Sequence, residues 1–225
     1  MNFQQIKAVK AAVDVSQEIT QKLANQEYPL ALELVENFLH SEELKLLEND
    51  AIAGTEFLYL KGVALDELGK TEDAIEILAQ LNNKHPGWDN LERSMAIVLR
   101  KLEKTAIDLM AQAPDSKKAQ AIYELVNTYG IASLQFRKAI MLRDVNQGNK
   151  ESAWEMAKAM LELSPNDDDY LQVAMEVAEA AGMHQERQKL LNHVRSMLEE
   201  RPYRYELLKV LKEGDYEETR EPMAA

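Results

Sequence analysis

Four histidines, ten methionines, two tryptophans and one run of acids are the residues here whose types could do chemistry. The run is Asn166-Asp167-Asp168-Asp169, which could offer oxygen ligands to calcium. A calcium loop of the helix–loop–helix kind needs Gly at its sixth position and Glu at its twelfth. Counted from Asp167, Gln172 and Ala178 stand there. A helix N-terminus, where the dipole favours acid, accounts for the cluster better. Asn166 is then the expected cap. His184 and His193 are nine apart, not the i, i+4 pair that a helical metal site uses, so both read as solvated surface. His40 and His85 fall at helix ends, where a cation is favoured. Met95, Met110, Met141, Met156, Met160 and Met175 recur at helical spacing and read as core filling. Trp88 follows Pro86-Gly87 and is expected to pack at the mouth of the next helix. With no cysteine, the chain has no thiol nucleophile, disulfide or thiolate metal ligand. Neither a phosphate-binding Gly loop nor a G-x-S-x-G turn occurs. No catalytic residue, cofactor site or metal site is expected, and the chain reads as a non-enzyme.

Composition points the same way. The 225 residues are 46% hydrophobic, with only 8 Gly and 6 Pro. Ala, Leu, Glu and Lys dominate, and no run alternates Val, Ile and Thr, so the fold class is all-α. The net charge of −13 repels nucleic acid and anionic membrane at long range; neither is an expected partner. The start, MNFQQIKAVKAAVDVSQEI, has no continuous apolar core like a signal peptide, and no stretch is long and apolar enough to span a bilayer. The expected location is cytoplasmic.

The elements follow from apolar spacing. In residues 3–25, Phe3, Ile6, Val9 and Val13 make one stripe, and Val15, Ile19 and Leu23 make an adjacent one. Pro29 opens a second helix with Ala31, Leu34, Val35 and Phe38 inward. Residues 41–54 are extra: Ser41 can cap a short helix, and Gly54 is expected to end the segment. In 55–88 the stripe Phe57, Leu58, Leu60, Val63, Ala64 and Leu68 breaks at Gly69-Lys70. Thr71 is the expected cap of the next helix, whose face is Ala74, Ile75, Ile77, Leu78 and Leu81. Two such helices form an antiparallel hairpin, and Gly62 and Ala74, the small residues, are expected to meet at the crossing. Residues 89–112 read as one long helix or two abutting ones, broken at Ala113-Pro114-Asp115. A further helix runs to Gly130. Gly148-Asn149 and Gly182 mark later inter-helix turns, and Pro165 stops the helix between them.

Residues 55–88 resemble a tetratricopeptide repeat, whose pattern is W-x2-L-G-x2-Y, A-x3-F and P within about 34 residues. The chain has Leu58-x2-Lys61-Gly62-x2-Leu65, Ala74-x3-Leu78 and Pro86. Lys61 departs from the family Leu. Gly148 and Gly182 are 34 apart, as are Ala119 and Ala153. Ala31 to Ala74 and Ala74 to Ala119 are longer, at 43 and 45. Five degenerate repeats are expected at about 12–45, 55–88, 100–133, 134–167 and 168–201, with Arg187 where the last one's Ala belongs. A capping helix over 203–213 closes an α-solenoid of helical hairpins, expected as one domain over 1–213. The acidic tail 214–225 is expected to lack structure.

The resemblance implies a non-catalytic scaffold that holds a peptide or partner protein on the face lined by the first helix of each pair. Aligned on their turns, the repeats project inward Tyr59, Leu60 and Val63; then Lys101, Lys104, Thr105 and Asp108; then Gln135, Lys138, Ala139 and Leu142; then Gln172, Val173 and Glu176. Tyr59, Val63, Lys101, Lys104, Lys138 and Leu142 are the candidate partner-binding residues, suited to an acidic, partly apolar segment. The same lysines can instead simply balance Glu103 and Asp108. The family's carboxylate clamp needs Asn where Val63, Asp108 and Leu142 stand, so heat-shock chaperone tails are not expected. Two other readings stay open: a chaperone for a secreted or assembling client, and the interaction domain of a longer regulator. The partner and the oligomeric state are not written in the sequence.

Overall fold

The computed structural model describes residues 3–47, 51–130 and 132–200, with side chains from residue 54 onward in the second span. The capping helix expected at 203–213 and the tail from 214 lie outside the described residues. Within them, every regular element is helical: α1 Phe3–Ala24, α2 Tyr28–Leu39, α3 Glu42–Leu46, α4 Ala51–Glu67, α5 Thr71–Lys84, α6 Asp89–Gln112, α7 Lys117–Tyr129, α8 Leu134–Asn146, α9 Lys150–Leu163, α10 Asp168–Ala181 and α11 His184–Glu200. The all-α assignment and the helical hairpins hold among the described residues. The chain divides into two compact units, Met1–Asp108 with Lys117–Ala132, and Leu109–Ser116 with Ser133–Ala225.

One turn is used four times. Gln26, Gly69, Gly148 and Gly182 each adopt positive φ, at 62°, 75°, 86° and 70°. Around each, the following N–H bonds back five residues (Glu27 to Lys22, Lys70 to Leu65, Asn149 to Asp144, Met183 to Ala178). The positive-φ residue itself bonds back three. This pair of bonds satisfies carbonyls left open at a helix end. The next helix then starts at once: Ala31, Ala74, Ala153 and Arg187, each five residues past the positive-φ position, donate its first backbone bond. The three alanines are fully buried, which lets the paired helix axes approach closely. The α6–α7 turn is different; it has no positive-φ residue and is closed by a bond from Ser116 N–H to the Ala113 carbonyl.

Because this turn leads straight into a helix, Thr71 is not a cap. It is the first helical residue, and Lys70 holds the cap position without a side-chain bond. Side-chain caps occur where a looser segment enters a helix. Ser41 accepts from Leu44 N–H and Ser133 from Phe136 N–H, both at 3.2 Å. Asp167, not Asn166, caps α10 and accepts from Asp169 and Tyr170 N–H at 3.0 Å. Asn166 instead meets His193, its Oδ1 lying 3.1 Å from Nε2. Gly54 does not end the insertion but lies inside α4. A single helical Gly costs only about 1 kcal/mol, which the packing of α4 on α2 and α5 outweighs.

In the first unit, α1 packs on α2, α3 and α4. Its buried face is Ala8, Ala12 and Ile19, backed by Val15 and Leu23. Of the other stripe read from the sequence, Val9 is half-buried against the same core, while Phe3 is 71% exposed, Ile6 54% and Val13 49%. Both faces are apolar, and the one with the small alanines seats the helix. Phe38 of α2 stacks on Phe57 of α4 at a centroid distance of 4.2 Å. At the α4–α5 crossing, Leu78 stands nearest to Gly62: a Cβ built on Gly62 would lie 2.7 Å from Leu78 Cδ2. In the second unit, Met141, Ala153, Trp154, Ala157, Met160, Ala174 and Val177 form one core. Leu171, Met175, Leu191, Val194 and Met197 form another. The methionines singled out from the sequence are core residues, with Met156 partly so.

Candidate functional site

Tyr59 and Val63 stand one turn apart on α4, and both are half-buried. The Tyr59 ring lies 5.0 Å from that of Trp88, and its hydroxyl is 3.1 Å from Ser94 Oγ of α6. Trp88 thus packs on the preceding first helix. Lys101 projects from α6 to Asp66 of α4, with Nζ 2.7 Å from Oδ2 and 3.6 Å from Glu67 Oε1. Asp66 is buried, its side chain 7% exposed, while that of Lys101 is 44% exposed. The Asp66 hydrogen bond holds the Lys101 ammonium above the usual lysine value, against a smaller opposing effect of burial. Burial, then the Glu67 charge and hydrogen bond, push the Tyr28 hydroxyl up, so Tyr28 joins the same group. The acids that balance Lys101 are therefore Asp66 and Glu67, not Glu103 or Asp108. Lys104 is exposed, and no described residue forms an ion pair with it.

In the second unit, Lys138 and Leu142 are one turn apart on α8. Lys138 is paired with Glu176 of α10, which also accepts from Gln172 Nε2 at 3.1 Å. Leu142 packs partly into the core around Met141 and Val173. Of the six candidates, Lys101 and Lys138 carry their own counter-ions, Leu142 is shared with the core, and Tyr59, Val63 and Lys104 keep accessible surface.

The sequence carried a signal for these partners. Tyr59 and Ser94 are 35 residues apart, as are Asp66 and Lys101. Both pairs join α4 to α6 with the same separation, so the two helices meet in a single register. Searching for opposite charges at the repeat spacing would have found Asp66.

The histidines serve local structure. His40 Nδ1 is 2.7 Å from the Glu36 carbonyl, and His85 Nε2 is 3.1 Å from Thr55 Oγ1. Among the described residues no cluster of three potential metal ligands occurs, and no helix is long and apolar enough to cross a membrane. An open cleft of about 240 Å³ is lined by Gly69, Thr71, Glu72, Leu102, Thr105 and Lys118. Lys70 also lines it, and Lys118 is answered from within, its Nζ lying 3.4 Å from Glu72.

No family model matches the chain, and no curated protein matches it. Solved structures do. Nearly identical TPR-like repeats from Podosopora anserina are 17% identical over 88% of this chain and 97% of that chain, with a TM-score of 0.37. MamA from Desulfovibrio magneticus RS-1 is 18% identical over 89% and 98%, with a TM-score of 0.34. YrrB, a TPR protein described as having an unusual peptide-binding site, is 17% identical over 91% and 96%, with a TM-score of 0.34.

Proposed function

We propose that this chain is a non-catalytic interaction module that holds a peptide or partner protein against the first-helix face of its hairpins. The observation that supports this most is Tyr59 with Val63 on α4: a half-buried aromatic fixed by Trp88 and Ser94, and an aliphatic side chain one turn on. Lys104 adds, on the next first helix, an exposed cation without a counter-ion among the described residues. Aromatic anchors held by their own neighbours lose little entropy when a partner covers them. Lys101 and Lys138 contribute less than their positions suggest, because a partner's acid must displace Asp66 or Glu176. The cytoplasm is the proposed location.

The test is affinity capture with the intact chain, comparing the parent with Val63→Ser and Lys104→Glu. Lys104→Glu breaks no ion pair and should leave the melting temperature unchanged while reducing capture. Lys138→Glu is a poorer probe, since it sets two carboxylates together at Glu176. Undiminished capture by the doubly substituted, folded chain would reject the first-helix face. A client-shielding role would instead use the exposed Phe3, Ile6 and Val13 stripe of α1. That reading predicts loss on Ile6→Ser and none on Lys104→Glu.

A further inference from the structure

We infer that the outer face of α6 is a docking stripe for an acidic segment of a partner protein. Arg93, Ile97, Arg100 and Lys104 follow one another at i, i+4, i+7 and i+11. At 100° per residue they lie within about 60° of one another and run about 16 Å along the helix. They stand opposite the buried stripe of Leu91, Met95, Val98, Leu102 and Ala106. All four are exposed, Ile97 at 52%. None of the three cations has a hydrogen-bond or ion-pair partner among the described residues. Lys101, on the same helix, shows what pairing looks like here, tied at 2.7 Å to a buried acid. Asp89 and Asp108, one turn beyond either end, bound the stripe without pairing to it. Three uncompensated cations in line, in a chain of net charge −13, are not explained by the folding of this chain.

The chemistry that fits is a short run of carboxylates with one apolar side chain among them. Guanidinium groups take carboxylates in bidentate fashion, and Ile97 offers the apolar contact between them. A polynucleotide fits worse, because the stripe is short and the rest of the acidic chain repels a long polyanion. An anionic membrane fits worse too, because one isoleucine is too little apolar surface to insert. The inference rests on the chain being a protein-interaction module; it shares Lys104 with the first-helix face and adds Arg93, Ile97 and Arg100, the only residues of the stripe that its test varies.

The experiment titrates the full chain into a fluorescent synthetic peptide of about 16 residues with Glu at every third or fourth position around a central Leu. The same peptide with Gln for Glu, an oligo-dT strand and phosphatidylserine vesicles are run in parallel. The expected result is binding of the Glu peptide in preference to all three, weakened about tenfold or more between low and high salt. Arg93→Glu with Arg100→Glu should weaken it about tenfold or more as well. Ile97→Ser should cost a few-fold, and Lys7→Glu with Lys10→Glu on α1 should change nothing. Arg93→Gln with Arg100→Gln gives the same reading if the reversed pair folds poorly. The inference is overturned if the parent ignores the Glu peptide, if the α1 pair matters as much as the α6 pair, or if oligo-dT or vesicles bind better. Val63→Ser should leave peptide binding intact, so the stripe and the first-helix face fail separately.

Discussion

In hairpin α4–α5 the first helix brings Gly62 to the crossing and the second brings Leu78. In hairpin α8–α9 the first brings Met141 and the second Ala157, both buried in one core. The positions are equivalent: each first-helix residue is seven before the positive-φ turn residue, and each second-helix residue is nine after it. The bulk has changed sides. Hairpin α1–α2 divides it between Ile19 and Val35 at the same two positions. What the turn fixes is therefore the register of the two helices. Hairpin α10–α11 places Met175 and Leu191, both large and buried, at the same two positions, so both the bulk and the side that supplies it vary from hairpin to hairpin while each crossing stays closely packed.

The largest effect comes from filling one side without emptying the other. Gly62→Met drives a long side chain into Leu78 and should cost about 3 kcal/mol in urea melts. Adding Leu78→Ala turns the crossing into the α8–α9 arrangement. The pair should then recover more than about 1 kcal/mol relative to the sum of the single changes. Strict additivity would show that Gly62 and Leu78 are not coupled in packing.

Next come the ion pairs, which differ between the units as the crossings do. Asp66 is buried where it meets Lys101, whereas Lys138 and Glu176 are both about one-third exposed. Asp66→Ala should cost about 1–2 kcal/mol, softened because Glu67 remains near Lys101. Glu176→Ala should cost less than about 1 kcal/mol. Equal losses in thermal melts would show that burial is not what separates them. Lys101 adds a pH signature. Its folded value is raised, so its contribution is full below the unfolded lysine value and is lost as pH rises through the folded one. Asp66→Ala should flatten that alkaline loss.

The smallest effect compares turns. Gln26 adopts the conformation that Gly69, Gly148 and Gly182 adopt without a Cβ. Gly148→Gln should cost about 1 kcal/mol, and Gln26→Gly should gain about half as much, the looser unfolded chain offsetting part of the relief. A destabilised Gln26→Gly chain would mean that the Gln26 side chain contributes more than the strain costs.

How much the sequence disclosed depended on whether a residue's role is local. Gly148 and Gly182 were legible, because positive φ selects glycine and the spacing repeats. Asn25-Gln26-Glu27 was legible as a turn, but not as the same turn, because Gln does not advertise a positive φ. Gly62 was legible as a close-approach residue, but Leu78, which stands nearest to it, was not, because small size alone was used to match residues across the crossing. Asn166 and Asp167 are both good caps, and only the backbone path chose between them. On α1, two apolar faces were visible, and periodicity alone could not say which one the α2–α4 surface would take. The lysines of the first helices were found, but Asp66 and Glu176, which neutralise two of them, lie a repeat away in the chain. The α6 stripe was missed because Arg93 and Arg100 precede and straddle the repeat boundary used for the alignment.

The central claim is that partners bind on the first-helix face, and photo-crosslinking addresses it most directly. A benzophenone amino acid is placed at Val63 on α4 or at Glu76, an exposed position on α5, and the intact chain is irradiated in a lysate of its native host. The account predicts a discrete protein adduct from position 63 that is absent from position 76 and reduced by Lys104→Glu. Equal adducts from both positions, or an adduct from 76 alone, would contradict it.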